Sequence, residues 1–246
     1  MLYFQPFTLV LCRISPLFIS LGFSPMAKFP GTVRLIVMLV LATAITKLTI
    51  TSWQGLSDLN WFLSMALEFG LGVLMVIGFQ LAFAAILIMG RVLDMQIGFA
   101  AAGVIDPVSN NNDPLLGHML TLFVTLAIFV TNTHHDLIAV LIEVFRIIPA
   151  GTWDGAFSIS KIMAYFLTQF TFALVLLGPI IMGLWLLDIF NGIVAKTMPQ
   201  MNVYFVMLPL KIGVGIFLLS MSMSLMKPVI QNMFSTMVSW FSMGWV

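Results

Sequence analysis

Histidines near the middle of this 246-residue chain are the first residues whose types suggest chemistry. His134, His135 and Asp136 are consecutive, and His118 lies one short apolar run upstream. Because imidazole and carboxylate groups bind zinc, the triplet could seed a metal site with His118 as a third ligand. Membrane di-iron enzymes use many more histidines than the three present here. A structural or interfacial pair is the alternative that we favour, so no metal and no other cofactor is predicted.

Other catalytic chemistry lacks its usual sequence patterns. The single cysteine, Cys12, excludes a disulfide framework and a cysteine-based metal site. No Gly-x-Ser with a matching histidine is found, and Gly213-x-Gly215 alone is a weak sign of a phosphate loop. We therefore predict that the chain is not an enzyme.

Acidic side chains interrupt otherwise apolar runs at Glu68, Asp94 and Glu143. Such groups are unfavourable in hydrocarbon, so they normally face the interior of a helix bundle and have partners there. One interpretation is a relay for protons or ions. The other is a set of structural pairs, in which Arg91 binds Glu68 or Asp94 and Arg146 binds Glu143. The sequence leaves both open.

The composition indicates that membrane helices must position these acidic and histidine residues. Hydrophobic residues make up 61% of the chain and charged residues 8%, whereas soluble domains have about 45–50% and about 25%. Such a chain cannot supply a polar shell, so we predict an all-α, polytopic membrane protein. The formal charge of +1 comes without a basic block, which argues against nucleic acid as a partner.

The apolar runs predict about five to seven helices in a single membrane-embedded domain over residues 1–246. Arg13 and Pro16 interrupt the first run, which we interpret as the start of the first membrane helix and not as a signal peptide, since Arg13 follows its apolar core. In the third run, Ala66 and Gly70 would let a neighbouring helix approach closely. The full-length runs are 2–23, 33–50, 61–89, 162–193 and 203–226, and the half-length runs are 119–130 and 137–148.

The half-length runs are too short to span a membrane alone, and a polar kink at 131–136 separates them. This pattern predicts a re-entrant pair or a helical hairpin. Basic residues do not separate to alternate loops, so the positive-inside rule gives no topology. Either some helices are re-entrant, or the protein is not a simple serpentine in a bilayer.

Residues 96–118 form a polar, Pro- and Asn-containing stretch between apolar runs. Two prolines and three asparagines exclude a continuous helix there. Non-helical backbone at membrane depth survives only inside protein or beside water. The stretch is therefore either an ordinary solvent loop or the lining of a conduit, and composition does not separate the two.

Several short stretches, in order and spacing, resemble the FliR/SctT family, the export-gate subunits of bacterial type III secretion systems. The resemblance covers roughly residues 9–240, and its flagellar branch fits better than its injectisome branch. Departures occur at Thr133, where the family often has Gly, and at His135-Asp136, where it is often apolar. The matching stretches are Arg13-Ile-Ser-Pro16, Pro30 with Val33-Arg34, Glu68-Phe-Gly-Leu-Gly72, Gln96-Ile-Gly98 leading to Asp106-Pro107, Asn132-Thr-His134, Ile148-Pro149-Ala-Gly151, Pro199-Gln200-Met-Asn202-Val, and Pro209-Leu-Lys211.

The resemblance implies a subunit of broken helical hairpins that assembles with FliP and FliQ, beside FlhB and FlhA, into a helical, pseudo-symmetric gate. The gate would lie in the bacterial inner membrane at the flagellar basal body and pass unfolded flagellar subunits. Because no autocleaving domain follows residue 246, a fusion with FlhB is not expected.

The resemblance also implies roles for particular residues. The loop matching residues 106–116 would plug the closed pore, and the small residues before it would act as a hinge or allow tight packing. A family-motif turn would lie at Pro199, Gln200 and Asn202. The plug residues are Asp106, Pro107, Val108, Ser109, Asn110, Asn111, Asn112, Asp113 and Pro114, and the hinge residues are Gln96, Gly98, Ala101, Ala102 and Gly103.

Two rival functions remain open. An ion-coupled secondary transporter would use the intramembrane acids and broken helices, although no internal repeat supports it. A scaffold subunit that never lines a pore is the second rival.

Overall fold

The structure is a computed structural model that describes residues 4–19, 29–49, 58–99, 114–153, 156–198 and 203–243. Within these ranges every regular element is an α-helix, as predicted. The helices are α1 (Phe4–Ile19), α2 (Gly31–Thr49), α3 (Asp58–Ile97), α4 (Leu115–Val130), α5 (Thr133–Ile147), α6 (Ile159–Thr197) and α7 (Val203–Met243).

Two of these helices are far longer than a membrane span requires. α3 and α6 have 40 and 39 residues, which corresponds to about 60 Å each, against a hydrocarbon core of about 30 Å. By length and composition, α2, α3 and α6 qualify as membrane spans among the described residues. The number rises to five if each bent pair, α4 with α5 and the two parts of α7, counts as one span. This confirms the prediction of a polytopic membrane protein with broken helices.

The predicted kink between the half-length runs is present. α4 and α5 have 16 and 15 residues, and they are bent by 79° at the break between them. Asn132 adopts a left-handed conformation there with φ 58°, which asparagine tolerates better than most residues. The Thr131 and Thr133 hydroxyl groups share a hydrogen bond of 2.8 Å across this turn.

Contacts divide the chain into two compact units. The first comprises Met1–Phe83, Ile128–Leu167 and Phe234–Val246. Its core includes a cluster in which α1, α2 and α5 meet, formed by Val10, Ile14, Ala42, Ile45 and Phe145. Most of the apolar side chains of α2 nevertheless remain exposed, among them Leu35, Ile36 and Val40.

The second unit comprises Ala84–Ala127 and Thr168–Met233. Its buried residues recur every three or four positions, which is the pattern of a helix with one apolar face toward a core. On α3 these are Ile86, Met89, Leu93 and Ile97; on α4 they are Leu116, Leu120 and Val124; and on α6 they are Ala173, Leu177, Ile180 and Leu184.

Two helices extend beyond the apolar runs of the sequence. The third run ends at residue 89, whereas α3 continues to Ile97, and Gly90 within it packs closely against the backbone of Gly117. The last run ends at residue 226, whereas α7 continues to Met243. Its two parts, Val206–Ser222 and Met226–Trp240, are bent by 66°, since Pro228 lacks the N–H that would bond the carbonyl four residues earlier.

Candidate functional site

The first unit contains a buried ion pair between α1 and α3. The Arg13 guanidinium donates two hydrogen bonds to the Glu68 carboxylate, with Nε–Oε2 at 2.5 Å and Nη2–Oε1 at 2.8 Å. Both side chains are almost completely buried, at 0% and 1% exposure. Two parallel bonds between a guanidinium and a carboxylate fix orientation as well as charge. The pair therefore fastens α1 to α3.

Backbone groups in the turn after α5 complete the coordination of this pair. Arg13 Nη1 donates to the carbonyl oxygen of Ile148 at 2.8 Å, and the Gly151 N–H donates to Glu68 Oε1 at 2.7 Å. Gly151 has φ +83°, a left-handed conformation that favours glycine. The Arg13 guanidinium also lies 4.3 Å from the ring centroid of Phe145 on α5. Thus one buried arginine joins three segments that are distant in sequence.

Gly72 follows Glu68 by one helical turn and lies where the backbones of α1 and α3 nearly touch. A Cβ atom on Gly72 would overlap the carbonyl oxygen of Arg13 and would lie 3.0 Å from Cδ of Pro16. Because the obstacle is backbone, only glycine lets α1 and α3 approach this closely. Arg13, Glu68, Gly72, Ile148 and Gly151 form one structural unit, which we call the Arg13–Glu68 clasp.

The second unit contains a buried carboxylate with a different environment. Asp94, on the last turns of α3, is 4% exposed. The N–H of Leu116 donates to both of its oxygens, at 3.0 Å and 3.2 Å, and the Gly117 N–H also bonds to it. These are free N–H groups of the first turn of α4, where the helix dipole favours a negative charge. Asp94 therefore caps α4 from a different helix.

The backbone around Asp94 is packed as tightly as that of the clasp. A Cβ atom on Gly90 would overlap Cα of Gly117 and lie 2.8 Å from its nitrogen. At the end of α3, Gly98 donates its N–H to the carbonyl oxygen of Asp94, four residues earlier, at 3.1 Å. Gly98 has φ +101°. We call Gly90, Asp94, Gly98, Leu116 and Gly117 the Asp94 junction. It joins the end of α3 to the start of α4.

Comparison with known proteins identifies the family to which the chain belongs. The profile described as "Bacterial export proteins, family 1" matches residues 4–237, which includes both the clasp and the junction. The chain belongs to this family of bacterial export proteins. It is 32% identical over 238 residues to the flagellar biosynthetic protein FliR of Bacillus subtilis, covering 94% of this chain and 91% of that protein.

Relatives occur in both branches of the family. FliR of Escherichia coli is 28% identical over 169 residues, covering 67% of this export protein and 64% of the relative. The surface presentation of antigens protein SpaR of Shigella flexneri is 24% identical over 211 residues, covering 85% and 82%. The predicted resemblance to the FliR/SctT family is thus confirmed.

The predicted partners of the intramembrane acids are partly wrong. Glu68 binds Arg13 and not Arg91, because α1 crosses α3 at Glu68, whereas Arg91 is exposed on the same helix. Arg91 and His118 act on Asp94 electrostatically, but the hydrogen bonds that the structure gives this carboxylate come from the backbone. The prediction for Glu143 is confirmed, since Arg146 Nη1 lies 3.3 Å from its Oε2 in an exposed pair.

Most of the predicted plug, hinge and turn residues of this export protein lie outside the described residues. Of the plug set, Pro114 is described, and it is buried at the start of α4. Of the hinge set, Gln96 is half-buried, and Gly98 lies in the Asp94 junction. The undescribed ones are Asp106, Pro107, Val108, Ser109, Asn110, Asn111, Asn112, Asp113, Ala101, Ala102, Gly103, Pro199, Gln200 and Asn202.

The histidine pair lies at the bend between α4 and α5. The rings of His134 and His135 are 4.1 Å apart, and Phe129 lies 5.1 Å from His134. In the part of the chain that the structure describes, no three His, Cys, Asp or Glu side chains are grouped as metal ligands. The three rings contact one another at tilted angles of 37° and 38° beside the turn.

Sequence reasoning missed Arg13 as a functional partner and treated it as an interruption of the first run. The available signal was the presence of one lone arginine and one lone glutamate, each in the middle of an apolar run. Both residues also belong to stretches that carry the family resemblance, as do Ile148 and Gly151. The structure brings these three stretches together.

Proposed function

We propose that this chain is a subunit of the flagellar type III protein export gate in the bacterial inner membrane. The observation that carries the proposal is the family match over residues 4–237 together with 32% identity to a flagellar FliR over 94% of the chain. In this proposal the chain assembles at the flagellar basal body with FliP and FliQ, beside FlhB and FlhA. Unfolded flagellar subunits cross the membrane through the assembled channel, without chemistry on the protein.

Helix lengths support an assembly over a protein that spans a bilayer alone. α3 and α6 exceed the hydrocarbon thickness about twofold, and apolar side chains remain exposed along α6 from Ile159 to Ile193. A bilayer cannot cover an apolar surface of that length. Partner subunits would cover the remainder.

The pore plug is the segment at residues 106–116, whose last two residues form the start of α4. What supports this role is the anchoring of its downstream end, where Pro114 is buried and Leu116 is bound to Asp94. A loop whose base is fixed on packed helices can hold its tip at one position, whereas a loop on mobile elements cannot. Small residues upstream, including Gly98, provide conformational freedom for displacement during export.

The proposal is tested with the gate complex itself. The chain is co-expressed with its gate partners and purified in mild detergent, and we expect several small membrane proteins to co-purify with it. The complex is then reconstituted into liposomes, and the leakage of small ions is measured for the wild-type chain and for a deletion of residues 108–113. We expect leakage to rise after the deletion, because the closed pore loses the residues that fill it.

A matched variant replaces residues 108–113 by Gly and Ser at constant length. If the loop acts by filling the pore, this variant should leak less than the deletion. Equal permeability of all three complexes would contradict the plug role. Purification of the chain alone, together with binding of a small solute, would instead support an ion-coupled transporter.

A further inference from the structure

Asp94 links the end of α3 to the start of α4. It lies in the last turn of α3, where its carbonyl oxygen accepts the ordinary helical hydrogen bond from the N–H of Gly98, four residues later, at 3.1 Å. Its carboxylate accepts the N–H of Leu116 at 3.0 Å and 3.2 Å. α3 ends before residues 99–113 and α4 begins after them, and this segment contains most of the proposed plug. The carboxylate of a single residue therefore ties the chain before that segment to the chain after it.

The start of α4 has no side-chain cap of its own at the preceding residue. Pro114 stands there, and a proline side chain offers no hydrogen-bond acceptor. Without a cap, the first N–H groups of a helix have no hydrogen-bond partner, which is unfavourable when those groups are buried. Leu116 and Gly117 are both buried, so the carboxylate of Asp94 replaces the missing cap.

Charge favours the same arrangement. A carboxylate away from water is unfavourable unless other groups stabilise it. Here the positive end of the α4 dipole faces it, and Arg91 and His118 add favourable electrostatic interactions. The close packing of Gly90 on Gly117 brings α3 and α4 near enough for these bonds to form.

We propose that Asp94 is a positioning residue whose carboxylate clamps the start of α4, just after residues 99–113, to the end of α3, just before them, and so fixes the base of the plug. The inference rests on the proposed function of that segment. We expect that loss of the Asp94 carboxylate frees the start of α4 from the end of α3. The population of the released arrangement should rise about 5- to 30-fold, the ratio that one lost helix cap typically gives.

The clamp is measured directly by the distance between α3 and α4 in the reconstituted gate complex. Spin labels are placed by Met95→Cys and Met119→Cys in a Cys12→Ser background, since both methionines are exposed, at 64% and 59%. We expect Asp94→Ala to broaden the distance distribution between the labels. Asp94→Asn should keep it narrow, because an amide oxygen still accepts the N–H of Leu116.

Asp188→Ala is the matched control. It removes a carboxylate from the same unit, but one that is 42% exposed and paired with Lys211 Nζ at 2.7 Å. We expect it to leave the label distances unchanged. An Asp94→Ala complex with a distribution as narrow as the wild type would overturn the clamp, and so would an Asp94→Asn complex as broad as Asp94→Ala.

Ion leakage separates the clamp from the plug. If both are right, Asp94→Ala and the 108–113 deletion both increase leakage. Leakage from the deletion without any change of label distances in Asp94→Ala would leave the plug intact and overturn the clamp. Broadened distances with no leakage from the deletion would support the clamp as a structural anchor and overturn the plug.

A second variant keeps the inference testable if Asp94→Ala does not assemble. Gly90→Ala leaves the carboxylate in place but adds a Cβ that would overlap the Gly117 backbone. It should push α4 away from α3 and broaden the same distances. A narrow distribution in a correctly assembled Gly90→Ala complex would overturn the clamp.

Discussion

The Arg13–Glu68 clasp and the Asp94 junction bury carboxylates of the same helix, α3, by different means. In the clasp, the carboxylate pairs with a guanidinium and also accepts the N–H of Gly151. In the junction, the hydrogen bonds to the carboxylate come from backbone N–H groups at the start of α4. Both regions depend on a glycine where two backbones nearly touch, at Gly72 and at Gly90.

The difference predicts unequal strength. Removing one member of a buried ion pair leaves an uncompensated charge and costs about 3–5 kcal/mol. Removing a helix cap typically costs about 1 kcal/mol. The clasp is thus expected to be the stronger fastening of the two, and the junction the weaker.

The largest expected effect is on the clasp. Glu68→Leu should lower the free energy of unfolding by about 3–5 kcal/mol, because it leaves the Arg13 charge buried without its partner. Thermal unfolding of the purified complex in mild detergent measures this as a lower Tm. The effect should exceed that of Asp94→Ala, which removes only a cap.

The matched control is the double variant Arg13→Met with Glu68→Leu. Replacing a whole buried pair by apolar side chains of similar volume is often close to neutral, so the double variant should recover most of the lost stability. A double variant as unstable as Glu68→Leu alone would mean that the bonds to Ile148 and Gly151 matter more than the charge pair. In that case the clasp, like the junction, would depend mainly on hydrogen bonds to the backbone.

A smaller effect is expected from added volume at the close approach in the clasp. Gly72→Ala should lower the free energy of unfolding by about 1–3 kcal/mol, since its Cβ would overlap the Arg13 carbonyl oxygen. The measurement is again the Tm of the purified complex. This measurement tests whether the clasp, like the junction, depends on the close approach of two backbones.

Gly192→Ala provides the control for this substitution. Gly192 lies within α6, and outside its own stretch of helix no atom lies within 4 Å of a Cβ atom added there, so alanine should stabilise the helix by about 0.5–1 kcal/mol. Opposite signs for Gly72→Ala and Gly192→Ala are expected. Equal effects would show that helix propensity, and not backbone contact, decides both.

The smallest effect is expected at the exposed pair of Glu143 and Arg146. Their side chains are 49% and 71% exposed, and exposed pairs within a helix contribute about 0.3–0.5 kcal/mol. Glu143→Ala should therefore leave the Tm almost unchanged, and Arg146→Ala should match it. A loss as large as that of Glu68→Leu would mean that partner subunits bury this pair in the gate.

Elements with simple sequence patterns were predicted well. The runs 33–50 and 162–193 correspond closely to α2 and α6, because a long apolar stretch with charges near its ends has few alternatives to a helix. The kink before His134 was also predicted, since polar residues there interrupt two runs that are each too short to span a membrane.

Contacts between helices were predicted poorly. Close approach was expected at Ala66 and Gly70, but the structure places it at Gly72 and Gly90. Small residues recur along α3, and nothing in their spacing identifies which of them faces a partner. Gly90 illustrates the same difficulty: a glycine that ends a helix and one that packs against a backbone look alike in sequence.

By itself the sequence determined the membrane character, the all-helical class and the family, because these follow from composition and from local motifs. Only the tertiary structure decided which charges meet. Arg13 and Glu68 are 55 residues apart in the chain, and Asp94 and Leu116 are 22 apart. The apolar pattern of a helix shows that a buried charge needs a partner, but the choice of partner depends on which helices cross and at what height, and packing sets both.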